Sequence, residues 1–213
     1  MQAIELKNAV VVVVEALSDI GRAIACACAG QGAKLVLAGC DPHALRQLAL
    51  QCQGLGAETV VVDAGTDTVS IRKVINAARE SAGRIDIWIG HVDDGAYAEG
   101  SRADLRSVVP VFLKQKRGIF INLGADRISA ALRAQLSARR NIHLCDLQAS
   151  SGQTADRIAA TTVALARVPR PRTALGANDD FVRRALKSGT AFCIAALGGL
   201  GGVATAMQAA KLG

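Results

Sequence analysis

The chain has 213 residues, of which 51% are hydrophobic, so it can bury one sizeable core and we expect a single domain. Aromatic residues make up only 3% of the chain, which leaves few side chains on which nucleic-acid bases could stack. The charge is uneven: residues 101–213 hold 17 Lys and Arg against 6 Asp and Glu, whereas residues 1–100 hold 8 against 12. A basic surface attracts anions, but a solvated face is the simpler interpretation, and we expect no specific nucleic-acid partner.

The cysteines and the first residues indicate a reducing compartment. The six cysteines show no C-x-x-C spacing and mostly stand in apolar runs, where they act as small hydrophobes. Glu5 precedes the first apolar stretch, so we expect no signal peptide and a cytoplasmic location. The histidines His43, His91 and His143 are too scattered to propose a metal site, and we expect none.

The stretch from Val10 to Leu37 predicts a strand, a helix and a second strand. Five consecutive valines, 10–14, are typical of a buried parallel strand. Small apolar residues over 21–30 recur at helical spacing, and a second apolar run covers 33–38. Such a unit places the phosphate of a ligand at the helix N-terminus, so the turn from Glu15 to Gly21 is the candidate site.

The same alternation continues along the chain and predicts an α/β protein with a doubly wound parallel sheet. We expect Pro110 to kink or split the helix that contains it. The further strands are predicted at 58–62, 85–90, 118–123, 142–147 and 173–175, and the helices at 42–53, 69–82, 103–115, 128–139, 154–166 and from 179.

The C-terminal segment differs from the rest. Residues 188–210, from Ser188 to Ala210, include no charged side chain. This uncharged stretch is long enough to cross a bilayer. Ala and Gly dominate the segment, so we favour a surface element or a subunit contact, with a membrane anchor as the alternative. We therefore divide the chain into a domain over 1–187 and a small-residue apolar segment over 188–213.

Five stretches, in this order, resemble the short-chain dehydrogenase/reductase family. The resemblance implies a Rossmann-like single domain and a nicotinamide cofactor, NAD or NADP. The stretches are VVVVEALSDIGRAIA, GAKLVLAGCDPHALRQLA, GAETVVVDAGTDTVSIRKVI, GRIDIWIGHVD and RGIFINLGA.

The resemblance also shows what the nucleotide turn has lost. The three glycines of the family's T-G-x-x-x-G-I-G turn fall on Glu15, Asp19 and Gly21, and only Gly21 is kept. Two side chains with carboxylates add bulk and negative charge where a diphosphate would rest. Asp19 is otherwise explained as a helix N-cap.

Half of a cofactor cleft is still outlined. Ser18, Ile20 and Gly21 belong to the turn, and Asp63 stands beside Ala64, the position of the acid that holds adenine in the family. Asp41 precedes Pro42 and is interpreted as an N-cap rather than as a ribose ligand.

The family's reaction centre is missing from the sequence. Its serine falls on Ala125, and the segment that would carry Tyr-x-x-x-Lys looks deleted, as does the segment with its asparagine. The only tyrosine, Tyr97, is followed four residues later by Ser101. Asn122, with its neighbours Asp126 and Arg127, is interpreted as a polar group past the fifth strand, with catalysis as the alternative. The catalytic residues are therefore unknown.

We interpret the chain as a degenerate, shortened member of the family that acts as a binding or subunit-pairing scaffold. If the chain binds a cofactor, we expect NAD or NADP; the alternative is that it binds none. Shortened crossover helices would uncover one face of the sheet, so we expect a homo-oligomer or a partner protein. The alternatives are an active NAD(P)-dependent oxidoreductase with an atypical centre, and a membrane- or nucleic-acid-associated protein that uses its basic C-terminal half.

Overall fold

In the computed structural model, residues 5–91, 98–123, 136, 141–147 and 154–167 are described, with only the backbone given for His91, for residues 98–103 and for Arg167. These residues lie within one compact unit, Met1–Ala177. The proposed boundary at residue 187 and the segment 188–213 fall outside the described residues. The elements are β1 (Val10–Val13), α1 (Asp19–Ala29), β2 (Lys34–Gly39), α2 (Pro42–Gly54), β3 (Glu58–Asp63), α3 (Thr68–Ala82), β4 (Ile87–His91), α4 (Ala98–Gln115), β5 (Gly118–Leu123), β6 (Ile142–Asp146) and α5 (Ala155–Arg167).

The strands form one parallel sheet in the order β3-β2-β1-β4-β5-β6. Val12 of β1 stands opposite Val36 of β2 on one side and opposite Trp88 of β4 on the other. The strand order reverses between β1 and β4. The predicted doubly wound sheet is confirmed.

The valine run becomes the central strand because both of its faces are covered. Val11 and Val13 pack with α1, α2 and α5 on one face, and Val12 packs with α3 and α4 on the other. All three side chains are fully buried. A strand buried on two sides needs apolar residues at every position, which explains why the run does not alternate with polar residues.

Aspartate caps set the beginnings of two helices. Asp41 accepts hydrogen bonds from the backbone N–H groups of His43 and Ala44, and Pro42 is the first residue of α2. The interpretation of Asp41 as an N-cap is confirmed. The backbone hydrogen bond from Ala44, followed by that from His43, holds the pKa of Asp41 below its usual value. Asp67 caps α3 in the same way.

The expectation that Pro110 would kink or split its helix is wrong. Helix α4 runs unbroken from Ala98 to Gln115 with Pro110 inside it. Pro110 is exposed, and so is Arg106, whose carbonyl would have received the missing N–H. Buried Val108 and Phe112 hold the other side of the helix on the sheet. Their packing outweighs the loss of one hydrogen bond on the solvent side.

The described strands have helices on both faces, with α1, α2 and α5 on one and α3 and α4 on the other. The uncovered face that we expected is therefore absent from the described part of the sheet. Self-association stays a prediction that rests on the interpretation of the C-terminal segment, residues 188–210, as a subunit contact. Among the described helices, none has the length and apolar character needed to cross a membrane. The predicted elements at 128–139, 173–175 and beyond 179 are not among the described residues, apart from Leu136.

Candidate functional site

The candidate site lies at the carboxyl edge of the sheet, where the strand order reverses between β1 and β4. Ligands of open α/β sheets bind at this point. Backbone hydrogen bonds attach the turn after β1 to both neighbouring strands: Val14 N–H donates to the Ile89 carbonyl at 2.9 Å, and Ala16 N–H donates to the Ala38 carbonyl at 2.9 Å. The turn is therefore held firmly in its place.

Glu15 adopts a left-handed backbone conformation in this turn, with φ of 52°. A residue with a Cβ adopts this conformation at a cost of about 1–2 kcal/mol, whereas glycine adopts it freely. Glu15 occupies the position of the first glycine in the family pattern. The turn thus keeps a backbone shape that suits glycine although the sequence has replaced the glycine.

Ser18 closes the turn and caps α1. Its hydroxyl accepts a hydrogen bond from Gly21 N–H at 3.0 Å and donates one to the Glu15 carbonyl at 3.0 Å. The N-cap of α1 is therefore Ser18, and the interpretation of Asp19 as the cap was wrong by one residue. Asp19 is the exposed first residue of the helix.

Gly21 is required by packing. A Cβ at this position would lie 2.5 Å from the Glu15 carbonyl oxygen and 3.0 Å from the Ser18 hydroxyl oxygen. The helix approaches the turn so closely that only glycine fits. This explains why the third glycine of the family pattern is the one that this sequence retains.

The four predicted cofactor-binding residues divide into two groups. Ser18, Ile20 and Gly21 lie together at the start of α1, and Ile20 packs partly buried against the core. Asp63 lies at the end of β3, opposite Gly39 and two strands away from β1, with its side chain exposed. Both groups belong to the same edge of the sheet, as a cofactor that crosses from β1 to β3 would require.

Leu17 fills part of the space over the end of β2. Its side chain lies 3.4 Å from the point where a Cβ on Gly39 would stand, and Leu45 of α2 lies 3.5 Å from that point. Leu17 thus places an apolar side chain over β2, the strand that lies between β1, which leads to Ser18, and β3, which carries Asp63.

A buried acid at this edge was missed by sequence reasoning. Asp104 of α4 is 4% exposed, and its Oδ2 accepts a hydrogen bond from Trp88 Nε1 at 3.3 Å. Its Oδ1 has no hydrogen-bond partner in the described part of the chain. A Cβ on Gly90, near the end of β4, would lie 3.0 Å from Oδ2, which places the carboxyl group at the carboxyl edge.

The environment of Asp104 favours its neutral form. Burial raises the pKa of Asp104 to about 7; the Trp88 hydrogen bond opposes this, and the charge of Glu15 adds to it. A helical spacing signal was available in the sequence: Asp104 stands four residues before Val108 and eight before Phe112, on the buried side of α4. The sequence alone thus places an acidic residue on the apolar side of this helix.

Asn122 lies inside β5 and not beyond it, which corrects its interpretation as a loop residue. Its side-chain amide donates a hydrogen bond to Asp146 Oδ1 at 3.0 Å, so it ties β5 to β6. Asp126 and Arg127 are outside the described residues, as is Ala125. Within the described residues no cluster of His, Cys, Asp and Glu has a metal-binding arrangement.

The chain resembles known oxidoreductases in sequence and fold. A family model described as enoyl-(acyl carrier protein) reductase matches residues 15–114. An uncharacterised oxidoreductase of Staphylococcus saprophyticus is 30% identical over 143 residues, which cover 57% of this chain and 61% of that relative.

Solved structures agree on the fold. A metagenomic short-chain oxidoreductase in complex with NADP superposes with a TM-score of 0.69 at 18% identity, covering 78% of this chain and 95% of that one. The chain thus shares its fold with short-chain dehydrogenases/reductases and resembles this family in sequence over about half of its length. A 7α-hydroxysteroid dehydrogenase complexed with NADH and 7-oxo glycochenodeoxycholic acid gives 0.67 at 14% identity, with 78% and 89% covered.

The resemblance to short-chain dehydrogenases/reductases points to the turn between β1 and α1. In short-chain dehydrogenases/reductases this turn is glycine-rich and receives the cofactor diphosphate at the start of α1. Here the turn keeps the close approach at Gly21 and the serine cap, but Glu15 has replaced the glycine at its left-handed position. The fold of the family is present, and its nucleotide turn is altered.

Proposed function

We propose that this chain is a short-chain dehydrogenase/reductase that no longer binds a nicotinamide dinucleotide tightly or transfers hydride, and that its fold serves to bind another protein chain. The observation that supports the loss of cofactor binding is Glu15 in a left-handed conformation at the nucleotide turn. A glycine there lets the backbone approach a diphosphate, whereas Glu15 adds a Cβ and a carboxylate at the same point.

Charge adds to the steric argument. Two like charges 4 Å apart repel each other by about 4 kcal/mol at an effective dielectric constant of 20. That energy corresponds to roughly a thousand-fold in affinity. A diphosphate near the Glu15 carboxylate would meet repulsion of this order before any contribution from Asp19, which is exposed at the first position of α1.

The missing proton donor supports the loss of hydride transfer. The family reduces carbonyl groups with a tyrosine whose pKa a neighbouring lysine lowers, and the tyrosine follows the fifth strand. The sequence between β5 and β6, residues 124–141, includes neither tyrosine nor lysine. The sole tyrosine of the chain, Tyr97, precedes α4.

Calorimetric titration with NADH and NADPH tests the proposal. We expect wild-type protein to bind both with Kd values above about 1 mM. Glu15→Gly should tighten binding at least about tenfold, because it removes the side chain and its charge. Glu15→Gln removes only the charge, so comparing it with Glu15→Gly separates repulsion from bulk. Micromolar binding by the wild-type chain would overturn the proposal.

Sedimentation velocity tests the binding part. We expect a species larger than a monomer as the concentration rises, or a complex with a partner protein. A strictly monomeric chain at high concentration excludes pairing with a second copy.

An active NAD(P)-dependent oxidoreductase with an unusual acid is the second candidate, and Asp104 is the observation that favours it. A carboxyl group with a pKa of about 7 is a suitable proton donor at neutral pH, and Asp104 lies at the carboxyl edge with Oδ1 unpartnered among the described residues. NADPH oxidation with a panel of aldehydes and ketones, lost in Asp104→Asn, would favour this candidate. No oxidation above background by the wild-type chain would dismiss it.

A further inference from the structure

The fold leaves the hydrogen bonding of one buried carboxyl group, that of Asp104, incomplete. Among the buried side chains of the described residues, only Asp104 has a polar atom, Oδ1, without a hydrogen-bond partner. Its other oxygen, Oδ2, accepts from Trp88 Nε1 at 3.3 Å. Because Asp104 is only 4% exposed, bulk water does not readily supply the missing bond. A buried oxygen of this kind calls for a hydrogen-bond donor from outside the described residues.

Two aromatic rings and a glycine border this carboxyl group. A Cβ on Gly90 would lie 3.0 Å from Asp104 Oδ2, and 3.8 Å from both Trp88 Nε1 and Phe120 Cζ. Trp88 and Phe120 are both buried. A carboxylate accepts N–H groups from a cation, and aromatic rings attract cations as well. The surroundings of Asp104 therefore suit a cationic donor.

Glu15 adds a second carboxylate at the same point of the sheet edge. Val14 N–H donates to the Ile89 carbonyl at 2.9 Å, so the residues that follow them, Glu15 and Gly90, lie together where β1 and β4 end. The charge of Glu15 contributes to the raised pKa of Asp104, in agreement with this placement. No Lys or Arg of the described residues forms an ion pair with Asp104. The edge is thus negative and lacks a described counter-charge.

We propose that the carboxyl edge between β1 and β4 holds a binding site for a small primary amine. Its ammonium group donates an N–H to Asp104 Oδ1, and the Glu15 carboxylate supplies a second negative charge. Two carboxylates disfavour an anion at this point. A metal ion fits less well, since the described residues include no group of three side chains that could ligate one.

This inference rests on the proposed loss of dinucleotide binding, because both involve Glu15. The replacement that repels a diphosphate then attracts a cation at the same edge. Separate titrations distinguish the two ideas. A chain that binds neither NADH nor an amine overturns this inference and leaves the proposed function standing, whereas micromolar binding of NADH overturns both.

Thermal unfolding of the full chain at pH 8 tests the site, with methylammonium chloride as the probe and sodium chloride at the same concentration as the reference. For so small a ligand we expect a Kd of about 10 mM. A concentration of about 100 mM should then raise Tm by roughly 3–5 °C over the reference. Asp104→Asn should abolish this rise, and Glu15→Gln should reduce it. Glu80→Gln removes an exposed carboxylate of α3 and is the matched control, which should keep the full rise.

Two further measurements separate an ammonium site from a general salt effect. Tetramethylammonium chloride carries the same charge without an N–H, so it should raise Tm no more than sodium chloride does. At pH 6 the Kd for methylammonium should weaken about tenfold relative to pH 8, because Asp104, with a pKa of about 7, is then mostly protonated while the amine stays charged.

The emission of Trp88 reports binding in the wild-type chain without any variant. Trp88 is the single tryptophan and its indole binds Asp104, so its emission should change saturably with methylammonium at the same Kd. Circular dichroism verifies that each variant folds. An equal rise of Tm in the wild type and in Asp104→Asn, or no rise in the wild type at pH 8, would overturn the proposal.

Discussion

The two edges of the sheet each hold a buried carboxylate, and the two differ in how well they are satisfied. At the amino edge, Asp86 is fully buried and accepts hydrogen bonds from Val10 N–H at 2.9 Å, Arg84 Nε at 2.8 Å and Arg117 Nη2 at 2.7 Å. At the carboxyl edge, Asp104 accepts one bond from Trp88, and Oδ1 accepts none from the described residues.

The difference indicates what each edge does. Asp86 joins the beginnings of β1 and β4 to the loop before β5, and both of its carboxylate oxygens are paired. Its role is therefore structural. The carboxyl edge combines Oδ1 of Asp104, a buried oxygen that finds no partner among the described residues, with the left-handed Glu15. Unsatisfied polar groups and backbone strain persist in folded proteins mainly at functional sites, so the carboxyl edge is where we place the function.

Replacing Asp86 should give the largest effect on stability. Asp86→Asn removes the charge between two guanidinium groups, and breaking a buried pair typically costs about 3–5 kcal/mol. Both guanidinium side chains are 48% exposed and regain water, so we expect a loss of about 2–3 kcal/mol in the free energy of unfolding. Urea denaturation measures it.

Arg84→Gln is the control for this variant, since Asp86 keeps Val10 N–H and Arg117. We expect its loss to be below about 1 kcal/mol. If Asp86→Asn lowers the free energy of unfolding no more than Arg84→Gln does, then the hydrogen bonds of Asp86 do not make it better satisfied than Asp104.

Replacing Asp104 should have the opposite sign and depend on pH. The folded-state pKa of about 7 lies above the value of 3.8 that is usual for an aspartate, so the folded state binds more protons between these values and wild-type stability falls as pH rises from about 4 to about 7. Asparagine does not ionise, so the Asp104→Asn variant does not lose stability over this pH range. We expect the variant to be more stable than the wild type by about 2 kcal/mol at pH 8 and no more stable at pH 4.

The fluorescence of Trp88 reports the same ionisation directly. Trp88 is the single tryptophan of the chain, it is fully buried, and its indole N–H binds Asp104. We expect the wild-type emission to change with a midpoint near pH 7 and the Asp104→Asn emission to stay flat. A wild-type midpoint near 4 would mean that Asp104 is as well solvated as an ordinary aspartate.

Replacing Glu15 should have the smallest effect. Glu15→Gly relieves the left-handed conformation, and we expect a gain of about 1 kcal/mol in the free energy of unfolding. Glu15→Ala is the matched control, because it removes the carboxylate but keeps the Cβ and hence the strain. Equal stability of the two variants would show that charge, and not backbone conformation, sets the cost of Glu15.

Local sequence patterns predicted the elements but not their interactions across the sheet. The valine run and the N-cap at Asp41 are short-range signals, and the corresponding strand and helix are confirmed. The break expected at Pro110 was wrong because the packing of Phe112 and its neighbours, which no local rule includes, holds the helix together. The N-cap of α1 is Ser18 and not the predicted Asp19, because the turn is shaped by its hydrogen bonds to β2 and β4.

By itself the sequence determined the alternation of strands and helices, the family resemblance and the absence of the Tyr-x-x-x-Lys centre, since each depends on residue types and their order. Only the tertiary structure decided that Glu15 takes a left-handed conformation and that burial raises the pKa of Asp104 to about 7. Those properties arise from desolvation and from contacts between residues distant in the chain, which the order of residues does not display.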